Sequence, residues 1–164
     1  QPVVGRGNNA ADWFILGKAP TIEDEHAKDP FSGRSGLLVA NMLLALGLSS
    51  EQAYLTNIVK CRPDQDRDPA GLEAKACRVH LNNQIDLVQP KIILVMGRLA
   101  ANYLLDRDDS VPAMRCQDFE FGSGKTPVVV THHPADLQGA ELKAEAWDDL
   151  QFARRRYNGQ PLSE

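Results

Sequence analysis

Short, wholly apolar runs alternate along this chain with longer segments of mixed polarity. Asp12–Gly17 reads DWFILG and ends in Gly, which predicts a buried strand. Gly36–Leu46 (GLLVANMLLAL) is apolar nearly all round and predicts a helix, with Gly47 as its natural stop. Ala53–Val59 (AYLTNIV) is β-branched and aromatic and predicts a strand. Leu72–Val88 predicts a helix that stops before Pro90, and Lys91–Met96 a second fully apolar strand. Arg98–Leu105 follows as a helix. Gln117–Phe121 and Pro127–Thr131 read as two strands around the turn GSGK, and Ala140–Arg156 as a last, polar-faced helix. The remaining stretches, Lys18–Ser35, Cys61–Gly71, Asp106–Met114 and His132–Gly139, are polar and rich in turn residues.

Buried strands alternating with helices predict an α/β fold whose mainly parallel sheet is covered on both faces. Ligands in such sheets sit beyond the carboxyl ends of the strands. The sequences that follow three of the strands are GKAPTIED, KCRPDQDR and HHPADL, so topology alone gathers them around one cleft.

Composition narrows the class. The 164 residues are 43% hydrophobic and 24% charged, which suits one domain, expected over 1–164, with no need of a disulfide framework. The longest apolar run, KIILVMG at 91–97, is strand length and far short of the roughly 20 residues of a membrane span. A net charge of −4 argues against coating DNA by bulk charge, while leaving room for local phosphate contacts. Three cysteines, with no basic and apolar leader in QPVVGRGNNAAD, point to a reducing, cytoplasmic protein. The chain lacks an initiator Met, so upstream residues are expected.

Several side chains in the cleft loops have two readings. Phe31, in the turn-rich DPFSGRSG, either anchors its loop or offers a stacking face to a planar ring. Asn57 either caps the next turn or presents a donor and an acceptor to the edge of a base. His133, fixed by Pro134, is either a loop histidine or a preorganised donor to developing negative charge, while His132 reads as structural. Cys61 and Cys77 are half of a four-ligand site or two free thiols. GSG before Lys125 lacks phosphate-loop spacing and reads as a hairpin turn, and Arg154–Arg156 reads as a solvated helix end.

In this order, GKAP with Glu23 and Asp24 behind it, DPFSGRSGLL, YLTNIVKCRP, the Cys61–Cys77 spacing, QPKIILVMG and THHPADL resemble the uracil-DNA glycosylase superfamily. The likeness is greatest to its bacterial and archaeal family 4, whose members carry an iron–sulfur cluster, and it spans residues 12–150. The resemblance implies a three-layer α/β/α sandwich with a central, mainly parallel sheet of about four strands. It implies a DNA-repair hydrolase that cleaves the N-glycosidic bond of uracil. Phe31 would stack on the flipped uracil, Asn57 would read its amide and carbonyl edge, and His133 would hydrogen-bond O2. Gly17, Lys18, Ala19 and Pro20 would line the sugar and water side. Lys60, Arg62 and Arg67 are the candidate DNA contacts. The partner would be uracil-containing DNA, single- or double-stranded, with no membrane, and the protein a monomer.

This chain departs from the family pattern at named positions. Lys18 stands where an acidic residue is usual and Thr21 where Gly is usual. A cation beside a sugar that becomes cation-like costs roughly 1–4 kcal/mol at effective dielectrics between water and a protein surface, so a slow enzyme is expected. Asp66 is the candidate to supply the missing carboxylate. The paired upstream cluster cysteines are absent, through cropping or divergence. Cys61 and Cys77 would be partial ligands, no cofactor is expected in this fragment, and a 4Fe–4S cluster is left to the full-length protein. The rival classes are a non-catalytic nucleic-acid-binding or replication-accessory module on the same fold, and an unrelated nucleotide-binding domain, which the lack of GxGxxG or a P-loop disfavours.

Overall fold

The computed structural model describes residues 1–159. The last part of the domain expected over 1–164 lies outside the described residues. The elements run β1 (Arg6–Gly7), β2 (Trp13–Gly17), α1 (Ile22–Ala27), α2 (Arg34–Ala45), β3 (Ala53–Asn57), α3 (Gly71–Val88), β4 (Ile92–Met96), α4 (Arg98–Leu105), α5 (Val111–Met114), β5 (Phe119–Phe121), β6 (Thr126–Thr131) and α6 (Gly139–Tyr157). The sheet order is β1-β3-β2-β4-β6-β5. The four central strands β3, β2, β4 and β6 are parallel, as the sequence predicts, and antiparallel β1 and β5 add an edge on either side. No helix among the described residues is long and apolar enough to cross a membrane.

The alternation of side chains along each central strand builds two cores. Phe14, Leu16, Ile93, Val95, Val128 and Val130 face a core completed by Leu81 and Ile85 of α3 and Leu104 of α4. Trp13, Ile15, Ile92, Leu94, Met96 and Val129 face the other, completed by Val39 and Leu43 of α2 and Leu150 of α6. Every residue of β2, β3 and β4 is buried, which is why β2 and β4 read as unbroken apolar runs rather than alternating ones, while β3 also buries the polar Thr56 and Asn57.

Three elements escape sequence reading: β1, α1, and the short α5 inside the expected connection Asp106–Met114. β1 is only two residues long and holds its place through Leu55 and Tyr54 of β3, a contact no local pattern announces. α1 lies inside the expected loop Lys18–Ser35. Thr21 and Asp24 make a reciprocal capping box there, with Thr21 Oγ1 accepting from the Asp24 N–H and Asp24 Oδ2 accepting from the Thr21 N–H. Thr21 therefore has a structural task of its own.

The expected solvated helix end holds for Arg154, which is exposed, but not for Arg156, whose side chain is 8% exposed. Arg154 donates to the Leu46 carbonyl and so ties α6 to the end of α2 (2.8 Å). Arg156 donates to the carbonyls of Val128 and Phe119 on β6 and β5 and pairs with Asp118. The strongest buried polar anchor is Asp149 of α6, which is 0% exposed. It accepts from Arg115 Nε at 2.9 and 3.1 Å and from Thr131 Oγ1 at 2.6 Å. This carboxylate fixes α6 to the carboxyl end of β6. Removing one member of such a buried pair leaves an uncompensated charge and costs about 3–5 kcal/mol. Asp149→Ala is expected to lower the unfolding free energy by about that amount in urea titration, and a loss below about 1 kcal/mol contradicts the anchoring role.

Candidate active site

In-register pairing of the parallel strands aligns their carboxyl ends. Gly17 lies opposite Asn57, and Met96 opposite Thr131. Beyond them opens a cleft of about 540 Å³, lined among others by Lys18, Ala19, Pro20, Phe31, Asp66, Arg67, Gly97 and His133. Loops distant in sequence thus meet in one cavity.

Gly17 is the tightest point. A Cβ there would come within 2.6 Å of Asn57 Oδ1 and 2.7 Å of Phe31 Cζ, so only hydrogen lets the amide and the ring meet. Asn57 is 2% exposed, and its Nδ2 is buried without a hydrogen-bond partner. A buried donor left unpaired costs about 1–3 kcal/mol in the free protein, which a ligand acceptor would recover. Asn57 does not line the open part of the cleft. Its amide is packed against Gly17, where the Phe31 ring also lies.

Phe31 is held in a left-handed conformation, φ 57°, which costs a non-glycine residue about 1–3 kcal/mol. Its surroundings enforce it. Asp24 Oδ1 accepts from the Ser32 N–H (2.7 Å), Arg6 donates to the Phe31 carbonyl (3.3 Å), and Ser32 Oγ donates to the Asp29 carbonyl (2.7 Å). On the far side a Cβ on Gly36 would fall 1.6 Å from the Phe31 carbonyl oxygen, so the start of α2 must be bare there. Asp24, 3% exposed, thus caps α1 and holds the Phe31 loop with the same carboxylate.

His133 follows β6 and packs its Cβ 3.2 Å from the position a Cβ on Gly97 would take. Its Nδ1 accepts from the Ala135 N–H at 3.1 Å. A ring nitrogen that accepts carries no proton, so the neutral ring keeps its hydrogen on Nε2 as a free donor. Burial pushes the imidazole below its ordinary 6.5 against the opposing pull of Asp136, and the cation of Lys18 adds to the depression. Neighbouring His132 has the structural place expected of it, 2.6 Å from Glu145 of α6.

The cations sort by partner. Lys18 Nζ lies 2.7 Å from Asp68 Oδ1, so its charge is not bare, which removes the basis for the full repulsion anticipated from sequence. Arg62 bonds Glu25 at 3.0 Å and Asp66 at 3.3 Å, and Arg67 takes both oxygens of Glu73. Lys60 corrects the sequence expectation of a DNA contact. It is 4% exposed, and its ammonium donates inward to Thr56 Oγ1 and the Asn57 carbonyl, both at 2.7 Å. Burial pushes it down to about 8. It orders the end of β3 under Asn57 and presents nothing to a phosphate. Sequence reasoning missed Arg34 and Arg98, which line the cleft, are exposed, and have no ion-pair partner among the described residues. Their signal was position: Arg34 lies within the Phe31 loop segment and Arg98 directly after β4.

The sequence profile of the Uracil DNA glycosylase superfamily matches residues 4–151. The chain belongs to that superfamily. It is 33% identical over 155 residues to the type-4 uracil-DNA glycosylase of Archaeoglobus fulgidus, covering 90% of this chain and 78% of that protein. It is 32% identical over 156 residues to the type-4 enzyme of Thermotoga maritima, covering 93% of this chain and 81% of the relative. It is 31% identical over 169 residues to that of Saccharolobus solfataricus, covering 98% and 78%.

In this uracil-DNA glycosylase superfamily member the cysteines fall short of a cluster site. Cys61 is exposed and Cys77 partly buried. The Val3 N–H donates to the Lys60 carbonyl at 2.6 Å, so Cys61 directly follows a residue tied to the N-terminal segment. Among the described residues no group of three His, Cys, Asp or Glu could hold a metal, and two thiols do not satisfy the four ligands of a 4Fe–4S cluster.

The His133 geometry has a direct test. Because its folded value is below that of the unfolded chain, the unfolded state binds the proton more readily, and stability falls as pH drops below 6.5. Nitrogen NMR at about pH 7.5, a full unit above the ordinary imidazole value, is expected to find His133 neutral with the proton on Nε2. A cationic ring, or a proton on Nδ1, contradicts the arrangement.

Proposed function

We propose that this chain hydrolyses the N-glycosidic bond of uracil in DNA, leaving an abasic site and free uracil. The observation that carries the reading is the side-chain amide of Asn57, whose buried Nδ2 has no partner among the described residues and whose Oδ1 meets the Phe31 ring across Gly17, at the floor of a cleft that Phe31 and His133 line. A planar ligand with a carbonyl would satisfy that donor, stack on the aromatic face and accept from a second donor. Uracil has this outline, and relatives at 31–33% identity bear the name type-4 uracil-DNA glycosylase.

The base must leave the stack to reach the pocket, which costs least in a single strand. Phe31 would take the ring face and Asn57 the amide and carbonyl edge. As the glycosidic bond breaks, the electron pair moves onto the base and the sugar becomes cation-like. His133, neutral and donating from Nε2, stabilises the growing charge at O2 without first delivering a proton. One such preorganised donor is worth roughly 3–4 kcal/mol, or about 10²–10³ in rate. Gly17, Ala19 and Pro20 line the side where water attacks. Thr21 and Lys18, the two motif departures, have partners that account for them, so neither argues for a catalytically empty module.

Arg34 and Arg98 are our candidates for phosphate contacts, with Arg67 released from Glu73 as a third. Three free thiols suit a reducing compartment, which supports a cytoplasmic place, and a monomer is the simplest form that this one-cleft domain needs.

Excision of uracil from an end-labelled single strand, with cytosine and thymine strands beside it, tests the reading. The unmodified protein is expected to cut at uracil after alkali, and His133→Ala to lose about 10²–10³-fold in single-turnover rate while binding DNA within a few-fold. Uracil left intact by protein that binds the strand would favour the accessory module. Arg34→Ala and Arg98→Ala should each flatten the dependence of log affinity on log salt by about 0.7 on single strands. An unchanged slope removes that arginine from the interface.

A further inference from the structure

A reaction that builds positive charge on a sugar calls for a carboxylate on the sugar side of the cleft, and the residue directly after Gly17 is a lysine. Five acidic side chains line this cleft: Glu23, Asp24, Asp66, Asp68 and Asp136. The two oxygens of Asp24 are engaged by backbone N–H groups of Thr21 and Ser32. Asp136 sits beside His133 and opposes the depression of its imidazole, at the end where the base gathers negative charge. Asp66 is turned to Arg62. Glu23 packs its carbons toward Gly33 of the Phe31 loop. Asp68 alone of the five is bonded to the residue following Gly17.

Resting on the uracil-excision reading, we propose that Asp68 is the catalytic carboxylate of this protein, orienting the attacking water and facing the sugar cation, with Lys18 as its positioning residue. The loop carrying Asp68 is tied on both sides. Arg67 donates to the Asp68 carbonyl (3.1 Å), and Tyr103 of α4 donates to the carbonyl of buried Pro69 (3.3 Å). Its side chain meets Lys18 Nζ at 2.7 Å. Its other oxygen has no bond to the protein among the described residues, and the side chain is 64% exposed, so it is free to take a water or face a nucleotide.

Lys18 and Asp68 together carry no net charge, so the carboxylate acts at close range through its free oxygen. The acid reaches the cleft from the β3–α3 loop, and the lysine of the first motif anchors it. In the step itself the C1′–N1 bond breaks and its electron pair stays on uracil. Water adds to C1′, one of its protons passes to the Asp68 carboxylate and on to solvent, and the uracil anion takes a proton from solvent after release. Atoms and charge balance without any co-reactant beyond water.

The charged and titratable groups around Asp68 are Lys18 beyond β2, Arg98 at the start of α4, Asp66 and Arg67 on its own loop, and His133 and Asp136 beyond β6. The hydrogen bond and charge of Lys18, with a smaller pull from Arg98, hold its carboxyl below the ordinary 3.8. Asp68 is consequently ionised through the whole neutral range, and Lys18 sets the pH at which it is lost.

Single-turnover excision on uracil-containing single strands, measured against pH, tests the assignment. Asp68→Asn is expected to lose at least about tenfold in rate with strand affinity within threefold, and Asp68→Glu to regain part of that loss. Lys18→Met should move to higher pH one acid-side inflection of the profile, distinct from that of His133, and Asp68→Asn should abolish that same inflection. A merely structural pair would change stability without moving the inflection. An Asp68→Asn rate within tenfold of the unmodified protein, or an inflection unmoved by Lys18→Met, overturns the proposal and leaves uracil excision standing. An unmodified protein that excises no uracil overturns both.

Discussion

The end of β2 has room for no side chain. At Gly17 a single methyl group would strike both the Asn57 amide and the Phe31 ring, at 2.6 and 2.7 Å, so neither side chain could keep its place. Much of the neighbouring structure serves that meeting. Lys60 is spent on the Asn57 carbonyl and Thr56, and Thr56 in turn holds the Val4 carbonyl of the N-terminal segment at 2.6 Å. The left-handed Phe31 is kept by Asp24, Arg6 and the bare backbone of Gly36. Such local strain persists only where surrounding contacts over-determine it, and it gathers where a fixed geometry is useful.

Charge in the cleft is divided between two ends. Near His133 the protein offers a neutral donor, kept neutral by burial, suited to negative charge that appears only as the bond breaks. Near Gly17 it offers an ion pair, Lys18 with Asp68, whose negative member is free on one side. Arg62 and Arg67 are bound to carboxylates, while Arg34 and Arg98 have no ion-pair partner among the described residues. The cleft of this chain of net charge −4 is thus lined by both signs, with cations and carboxylates interleaved.

The parallel strands were legible because both of their faces are buried: Trp13–Gly17 and Ile92–Met96 carry an unbroken apolar signal, and Ala53–Asn57 an aromatic and β-branched one that turns polar only at Thr56 and Asn57. Phe31 and His133 were legible through turn residues and Pro134, and the cleft does hold both. What escaped was decided by contacts far apart in sequence. Lys60 reads as a surface cation in KCRP, but the N-terminal segment covers it. The Arg156 guanidinium reads as solvated until Val128 and Phe119 supply their carbonyls. Asp66 and Asp68 are equivalent in the string DQDRD, and only the turn of the loop, with Gln65 and Asp66 at positive φ, sends one to Arg62 and the other to Lys18. Helix α1 was hidden because its capping box sits between Pro20 and Pro30, where turn chemistry dominates the local pattern.

The account stands on a pocket whose donors wait for one kind of ring. Titrating the protein with free uracil while following the side-chain amide of Asn57 and the Nε2–H of His133 by NMR tests this most directly. Both resonances are expected to shift together with one affinity, since both donors meet the same molecule. Saturation by uracil with neither signal displaced, or with shifts confined to another face of the domain, would contradict the pocket described here.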